Sequence, residues 1–461
     1  MTRANRKKRT SETMKIILAR RPLGRRLVAA ACLLIAACCG LPAASARTPA
    51  PAQSQPIAIV GGTVHTVSHG VIEEGTVVFA DGKLTAVGAE VAVPEGAVVI
   101  DATGKHVHPG FIHSRSSLGL SEIGRISEST DLEELGEINP MIRAQVAYHS
   151  ASEHLSVAAV HGVTTVVPAP RGSLIAGMPA AMMTDGWTWE EMTLREGLGM
   201  VIEWPAMGNL ERYARELARL QEAFDKSRRY RQAREASGEG GVPDHPRDTR
   251  WEALLPVLDR ELPVIISVGD LRQIQAAVSW GEQEGLRVIL AGGRDLGRVA
   301  EQLAGREVGV MVTGVFDGPA HPWEGYDEGY QTARRLHEAG VPFCIAGDAG
   351  PAYTYRLAHH AAAAVAFGLA PEQGLAAITL DAARVLGIDD LLGSLEPGKD
   401  ATLVISRGRP LEIGTKTEQV FIRGRAIDMT DKHKRLYQHY LEKHRRSRAA
   451  EQEEKESEVS P

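Results

Sequence analysis

The sequence predicts an α/β fold: a TIM-like (β/α)8 barrel plus a small β-sandwich domain built from both chain ends. Three observations lead there. From about residue 107 to 367, apolar strand-like runs alternate with helical stretches, the pattern of a parallel sheet covered by helices. The stretch before it reads as short alternating β segments between Gly and Asp-Gly turns, and similar segments return after residue 393. At 461 residues, 43% hydrophobic and 24% charged, the chain exceeds one ordinary domain and has globular composition.

Residues 1–46 read as an export signal. Arg20 to Arg26 is basic, Leu27 to Gly40 is uncharged and apolar, and Ala44-Ser45-Ala46 is a small-residue cleavage pattern. The apolar run falls short of the ~20 residues that span a bilayer, so no transmembrane span is expected in the mature chain. Ile35-Ala36-Ala37-Cys38 also fits a bacterial lipoprotein box. Two routes stay open, cleavage after Ala46 or a lipid anchor on Cys38, and either gives a periplasmic or secreted protein. Without the signal, 42 basic residues face 57 acidic ones, a balance of 42 minus 57 or −15 that does not suit nucleic acid. On cleavage after Ala46, Cys32, Cys38 and Cys39 leave with the signal, so Cys344 has no disulfide partner and stability must come from core burial. Its setting, VPFCIAG, reads as that of a small buried hydrophobe.

Residues 47–56, rich in Pro, Ala and Gln, read as a linker. IAIVGGTVHTV, GTVVFADGKLTAVG and AVVIDATGKHV then supply one part of the β domain, at 57–108. GSLEPGKDATLVI and EQVFIRGRAI supply the other, at 393–428. Barrel strands are expected at 107–112, 162–167, 178–184, 198–203, 262–267, 286–291, 307–313 and 341–346, within a barrel region of 109–392. Helices fill the gaps at about 141–160, 270–284, 295–304, 325–339 and 354–367. A charged helical insertion occupies 206–260, with a flexible centre in SGEGGVPDHP. Residues 429–461 read as a helix followed by a disordered polar tail.

Lys105 to Leu120, KHVHPGFIHSRSSLGL, is a strand broken at Pro109-Gly110 and followed by polar residues. Those residues would sit at the strand's C-terminal mouth, where barrels build their sites. The segment resembles the first barrel strand of the amidohydrolase superfamily, PGFIDxHxH, whose two histidines bind metal. SLEPGKDA with its following apolar run is similar to that family's C-terminal β segment, nearest the imidazolonepropionase-like and prolidase-like branch. The resemblance covers about 57–427. It implies C–N bond hydrolysis by water activated on a divalent metal such as Zn. It also implies His-x-His on strand 1, an acid or modified lysine on strand 4, His on strands 5 and 6, and Asp on strand 8. At these positions the chain reads Arg115 and Ser117, Glu203, Ser267, Gly292 and Asp348, with His113 in the Asp position of strand 1. All four imidazole positions lack imidazole, and both carboxylates are kept.

Two carboxylates facing a closed barrel mouth repel, and an unpaired buried charge is costly. Arg115 is therefore expected as the local cation in place of the metal, its planar fork bonding Glu203, Asp348 or both. A solvent-facing Arg115 is the alternative. No metal cofactor is expected; the alternative is Zn or another divalent ion on Glu203, Asp348, His113 or His321. Asp348 is the candidate general base if catalysis survives without metal. Arg171, in PAPRGSLIAGM, and His321, in GVFDGPAHPWEGYDEGY beside Asp317, Trp323 and Tyr326, are candidate ligand-binding residues, each with a surface role as the plain reading. His106-x-His108 has ligand spacing but precedes the mouth; it reads as structural, with an accessory metal as the other reading. His149, His154, His161, His337 and His359-His360 carry no ligand motif, and the last pair reads as barrel exterior. Two function classes follow. One is a metal-free relative with lost or weakened hydrolysis, a binding or scaffold protein for a small or peptide-like ligand, in a homo-oligomer or with an active paralogue. The other is an active metal-dependent hydrolase of cyclic amide or peptide-like bonds with unusual ligands.

Overall fold

The computed structural model describes residues 48–237, 244–293, 295–319 and 321–459, so the segment read as an export signal and the centre of SGEGGVPDHP lie outside the described residues. Five strands open the chain: β1 (Ile57–His65), β2 (Val71–Ala80), β3 (Lys83–Gly88), β4 (Val98–Asp101) and β5 (His106–Pro109). The barrel region holds β6 (Phe111–Ser116), β7 (Val163–Pro168), β8 (Ile175–Gly177), β9 (Ala181–Met183), β10 (Thr193–Arg195) and β11 (Met200–Glu203). It continues with β12 (Val264–Ser267), β13 (Val288–Gly292), β14 (Val308–Val312) and β15 (Phe343–Ile345). After the barrel region come β16 (Leu403–Arg407), β17 (Lys416–Ile422) and β18 (Arg425–Ala426).

Both chain ends share one eight-stranded sheet, ordered β18-β17-β16-β5-β1-β2-β3 with β4 on β1. The seam is β5, parallel to β1 on one edge and antiparallel to β16 on the other. Because β5 offers both edges, one hydrogen-bonded sheet joins the two chain ends, and it folds over so that Phe79 on β2 meets Phe421 on β17 at 5.2 Å between centroids. Val64, Phe79, Leu84, Leu403 and Phe421 belong to its apolar core. The segment read as a linker is tied down: the Ala50 amide donates to Asp185 (3.0 Å), and Gln53 bonds Phe79 O and Gly82 N.

The strand expected at 107–112 divides at Gly110. A Cβ there would lie 2.1 Å from Thr164 Oγ1, so the chain crosses from sheet to barrel where no side chain fits. Of the strand expected at 178–184 only β9 forms, with the short β8 just before it. β8 and β9 pair antiparallel with β11 and β7 respectively, so this quarter of the barrel region is not parallel. From β11 to β15 the ladder is parallel, with Glu203 beside Ser267 and Ser267 beside Ala291. That register brings strands 4, 5 and 6 to one mouth. β15 meets β6 where Cys344 Sγ bonds Ser114 Oγ at 3.3 Å. Cys344 is fully buried, and burial pushes its thiol up to about 12, which fits an inert core position.

The insertion folds as Leu210–Ala236, started by Asn209, whose side chain accepts from the Arg212 amide. Phe224 packs edge-on against Trp280, fixing this helix to the barrel wall. The helix expected over 141–160 forms only at Glu153–Val160, after a 3-10 turn. The last helix runs over Lys432–Val459, covering the expected disordered tail; Ala, Glu and Lys are strong helix formers, and propensity outweighs polarity here.

Candidate functional site at the barrel mouth

β6, β11 and β12 bring three polar side chains together. Arg115 Nη2 donates to Ser267 Oγ at 2.7 Å and to Glu203 Oε1 at 3.2 Å, and Ser267 Oγ donates to the same Glu203 oxygen at 2.9 Å. The Arg115 side chain is only 18% exposed and that of Glu203 34%. Burial lowers the Arg115 pKa, Glu203 opposes that shift, and the charge of Arg171 adds to it. The guanidinium therefore stands charged between strands 1, 4 and 5. The group borders a cavity of about 400 Å³ whose wall includes Trp204, Gln273, Gly292 and Asp317.

Asp348 lies apart from this network. Among the described residues its carboxylate partners are His360 Nε2 at 3.2 Å and Arg356 at 3.8 Å, not Arg115. Of the two carboxylates expected near Arg115, Glu203 is the one it bonds. His360 is buried rather than on the barrel exterior, because the helix Leu357–Ala366 turns that face back onto the end of β15. Burial lowers its pKa while Asp348 acts to raise it. Phe316 covers the ring at 4.2 Å between centroids. Sequence reasoning missed this residue; the signal was the i, i+4 spacing of Arg356 and His360 shortly after Asp348.

His113 is fully buried, with Nε2 on the Asp348 carbonyl oxygen at 3.0 Å, and burial drives it down to about 3. Ser117 donates from Oγ to the Ala349 carbonyl at 2.7 Å and again from its amide at 2.8 Å, stitching strand 1 to the loop after strand 8. His321 sits on the exposed outer loop against Trp323, centroids 4.1 Å apart, and does not line the cavity, whereas Asp317 does. Arg171 is exposed beside the mouth, its amide on Leu132 O.

The donor set does not fit a metal ion. Among the described residues no three His, Cys, Asp or Glu side chains converge as a metal-binding group. At Gly292 a Cβ would lie 2.7 Å from Val268 O, so no imidazole can be seated there without moving β12. The four alternative donors Glu203, Asp348, His113 and His321 are each committed elsewhere: to Arg115, to His360, to a backbone carbonyl and to the outer loop.

The amidohydrolase family model matches residues 306–429, the stretch that carries GSLEPGKDA. The chain belongs to the amidohydrolase superfamily. Within that superfamily it is 42% identical over 76 residues to an imidazolonepropionase of Geobacillus kaustophilus, a match covering 16% of this chain and 18% of that protein. It is 23% identical over 395 residues to amidohydrolase tasK of Hapsidospora irregularis, covering 77% of this chain and 39% of tasK. The chain thus spans well under half the length of these curated relatives. A solved amidohydrolase from Thermotoga maritima MSB8 overlays with a TM-score of 0.72 at 23% identity, covering 81% of this chain and 99% of that one. That likeness establishes the amidohydrolase architecture of a TIM barrel with an additional domain.

Proposed function

We propose that this amidohydrolase-superfamily protein is an exported, metal-free member whose hydrolysis is lost or weakened and which acts as a binding or scaffold protein. The observation that carries this reading is the Arg115–Glu203–Ser267 network. A fixed cation neutralises the strand-4 carboxylate at the position where a family member would need a Lewis acid, and it cannot activate water as a metal does. The exposed guanidinium of Arg171, with Arg115 and Asp317, suits a small ligand bearing both an anionic and a donor group. Closure of the two barrel sheets into one (β/α)8 cylinder belongs to this reading, supported by the Cys344–Ser114 bond across β15 and β6. Export is supported by the signal-like segment at 1–46; among the described residues no helix is long and apolar enough to cross a membrane.

The test is hydrolysis of a panel of cyclic amides and dipeptides by the mature chain with Zn or Mn added, alongside metal content of Glu203→Gln and Asp348→Asn variants. We expect no turnover and metal content unchanged by either substitution. Turnover lost with chelator, together with metal lost in those variants, would restore the metal-dependent reading. A second reading rests on the partly exposed Asp348 held by His360, a general base that needs no metal. It predicts slow turnover that survives chelator and disappears in Asp348→Asn.

A further inference from the structure

The C-terminal helix, Lys432–Val459, is tied to the body at its root. The Asp431 carboxylate caps it by accepting from the Lys434 amide at 2.9 Å, and Arg435 pairs with Glu153 at 2.7 Å. From Lys432 to Gln452 every residue is exposed except Leu441, which is half-buried. Leu436 is 44% exposed, Tyr437 64% and Tyr440 59%. Helices in proteins draw most of their stability from packing an apolar face, and among the described residues nothing covers this one. We propose that this helix is a docking surface for an anionic phospholipid bilayer. It lies among the headgroups with Leu436, Tyr437, Tyr440 and Leu441 inserted and its Lys and Arg side chains on the phosphates.

Spacing is the first support. At 3.6 residues per turn these four side chains fall within an arc of about 140°. Lys432 and Lys443 border the arc on one side and Lys434 and Arg445 on the other, while His433, His444 and Arg448 share it. Long basic stems beside an apolar stripe reach back to headgroups, and Tyr suits a boundary that is wet at one end.

Charge is the second support. Residues 432–448 hold seven Lys or Arg against Glu442 alone, 7 minus 1 or +6, in a mature chain that is acidic as a whole. Lys434, Arg435 and Arg446 pair with Asp431, Glu153 and Glu442, and the other four make no ion pair among the described residues. An antiparallel second copy would match these charges with the five Glu of 451–458, but after Arg448 the sequence offers no apolar residue larger than Val459. The Tyr and Leu stripe would then face glutamates. The basic and acidic blocks are centred about 14 residues apart, or about 21 Å along the axis, well beyond a Debye length of about 8 Å. The acidic end therefore does not cancel the attraction at the basic end.

The start of the described chain lies at the same edge. The Ala50 amide donates to the Asp185 carboxylate at 3.0 Å, and Arg425, on the strand just before the helix, donates to the Asp185 carbonyl at 3.0 Å. An acyl chain on Cys38 would tether the molecule where the helix departs. One acyl chain holds stably only with a second signal, and a basic patch is one such signal.

Cosedimentation of the mature chain, cleaved after Ala46 so that no acyl group contributes, with sucrose-loaded vesicles tests this. One vesicle type is phosphatidylcholine alone, and the other is an equal mixture with phosphatidylglycerol. We expect binding to the anionic vesicles alone, lost at about 1 M salt, where the Debye length is about 3 Å. Lys443→Gln, Arg445→Gln and Arg448→Gln together should weaken it about a hundredfold, at about fivefold for each basic residue near the surface. Tyr437→Ser with Tyr440→Ser should weaken it at least about tenfold, because apolar insertion adds to charge. These positions are exposed, so the fold is kept, which circular dichroism checks. Arg272→Gln, Arg306→Gln and Arg384→Gln together remove the same charge from exposed positions on the barrel and should leave binding intact. Absence of binding, equal binding to neutral vesicles, or equal weakening by the two triple variants overturns the proposal. So does a dimer in sedimentation velocity that the helix variants abolish while no vesicle is bound, which would assign the face to a second copy.

Discussion

Arg115 shows how one substitution can redirect a site. Guanidinium and carboxylate share a partly buried space, and Ser267 Oγ completes the triangle by accepting from one and donating to the other. Removing one partner of such a pair leaves a charge that water reaches poorly. Breaking a buried pair typically costs about 3–5 kcal/mol, and the partial exposure of Glu203 brings the expected loss for Arg115→Ala to about 2 kcal/mol. Arg115→Asp adds repulsion beside Glu203 and should cost about 4 kcal/mol. Adding Glu203→Gln to Arg115→Ala should restore more than half of the alanine loss, because no unpaired carboxylate is left. Urea denaturation of the single and double variants measures this. Equal midpoints for Arg115→Asp and the parent chain would show that the pair carries no stability.

At the scale of elements, the junction of sheet and barrel is decided at Gly110. β5 ends in the sheet, β6 begins in the barrel, and β7 crosses so closely that Thr164 fills the space above the Gly110 α-carbon. Gly110→Ala should cost about 2–3 kcal/mol, the upper end for overpacking a tight core, because the clash is with a fixed β-branched side chain. Thr164→Gly in the same chain should recover most of that relative to Thr164→Gly alone, as read from thermal midpoints; failure to recover would place the strain elsewhere. The same junction shows what was legible in the sequence. Pro109-Gly110 announced a break, and GSLEPGKDATLVI announced strands returning to the first ones, because turn residues and alternation are local signals. The long-range partners were not local. Nothing in HSRSS tells that Arg115 meets Glu203 and Ser267 while Asp348 turns to His360, since that depends on the direction in which each side chain leaves its strand end. The antiparallel pairing of β8 and β9 was hidden for the same reason, and only the fold shows which strands they meet.

Across the whole molecule, buried neutral imidazoles set the response to acid. His108 at the sheet–barrel junction and His113 under the mouth are both fully buried, and burial drives each down to about 3. In the unfolded chain an imidazole titrates near about 6.5. Below that pH the unfolded state binds protons that the folded state refuses. Their contribution is complete above about pH 6.5 and is lost as pH falls toward 3. Each group contributes about 1.4 kcal/mol per pH unit in that window, so the two together give a slope of about 3 kcal/mol per unit. Glu396 and Glu418, held below the ordinary carboxylate range chiefly by bonds from Ser394 and Lys105, add a loss of the same sign at lower pH. Asp381, raised by burial, works the other way, but as one group it cannot offset two imidazoles. The urea midpoint should therefore hold between pH 8 and 7 and fall steeply between about pH 6 and 4.5. His113→Gln, which keeps a polar side chain at the mouth but cannot titrate, should reduce that slope by about 1.4 kcal/mol per pH unit. A midpoint that is flat down to pH 4.5, or a slope that His113→Gln leaves unchanged, would mean that the buried imidazoles do not govern acid stability.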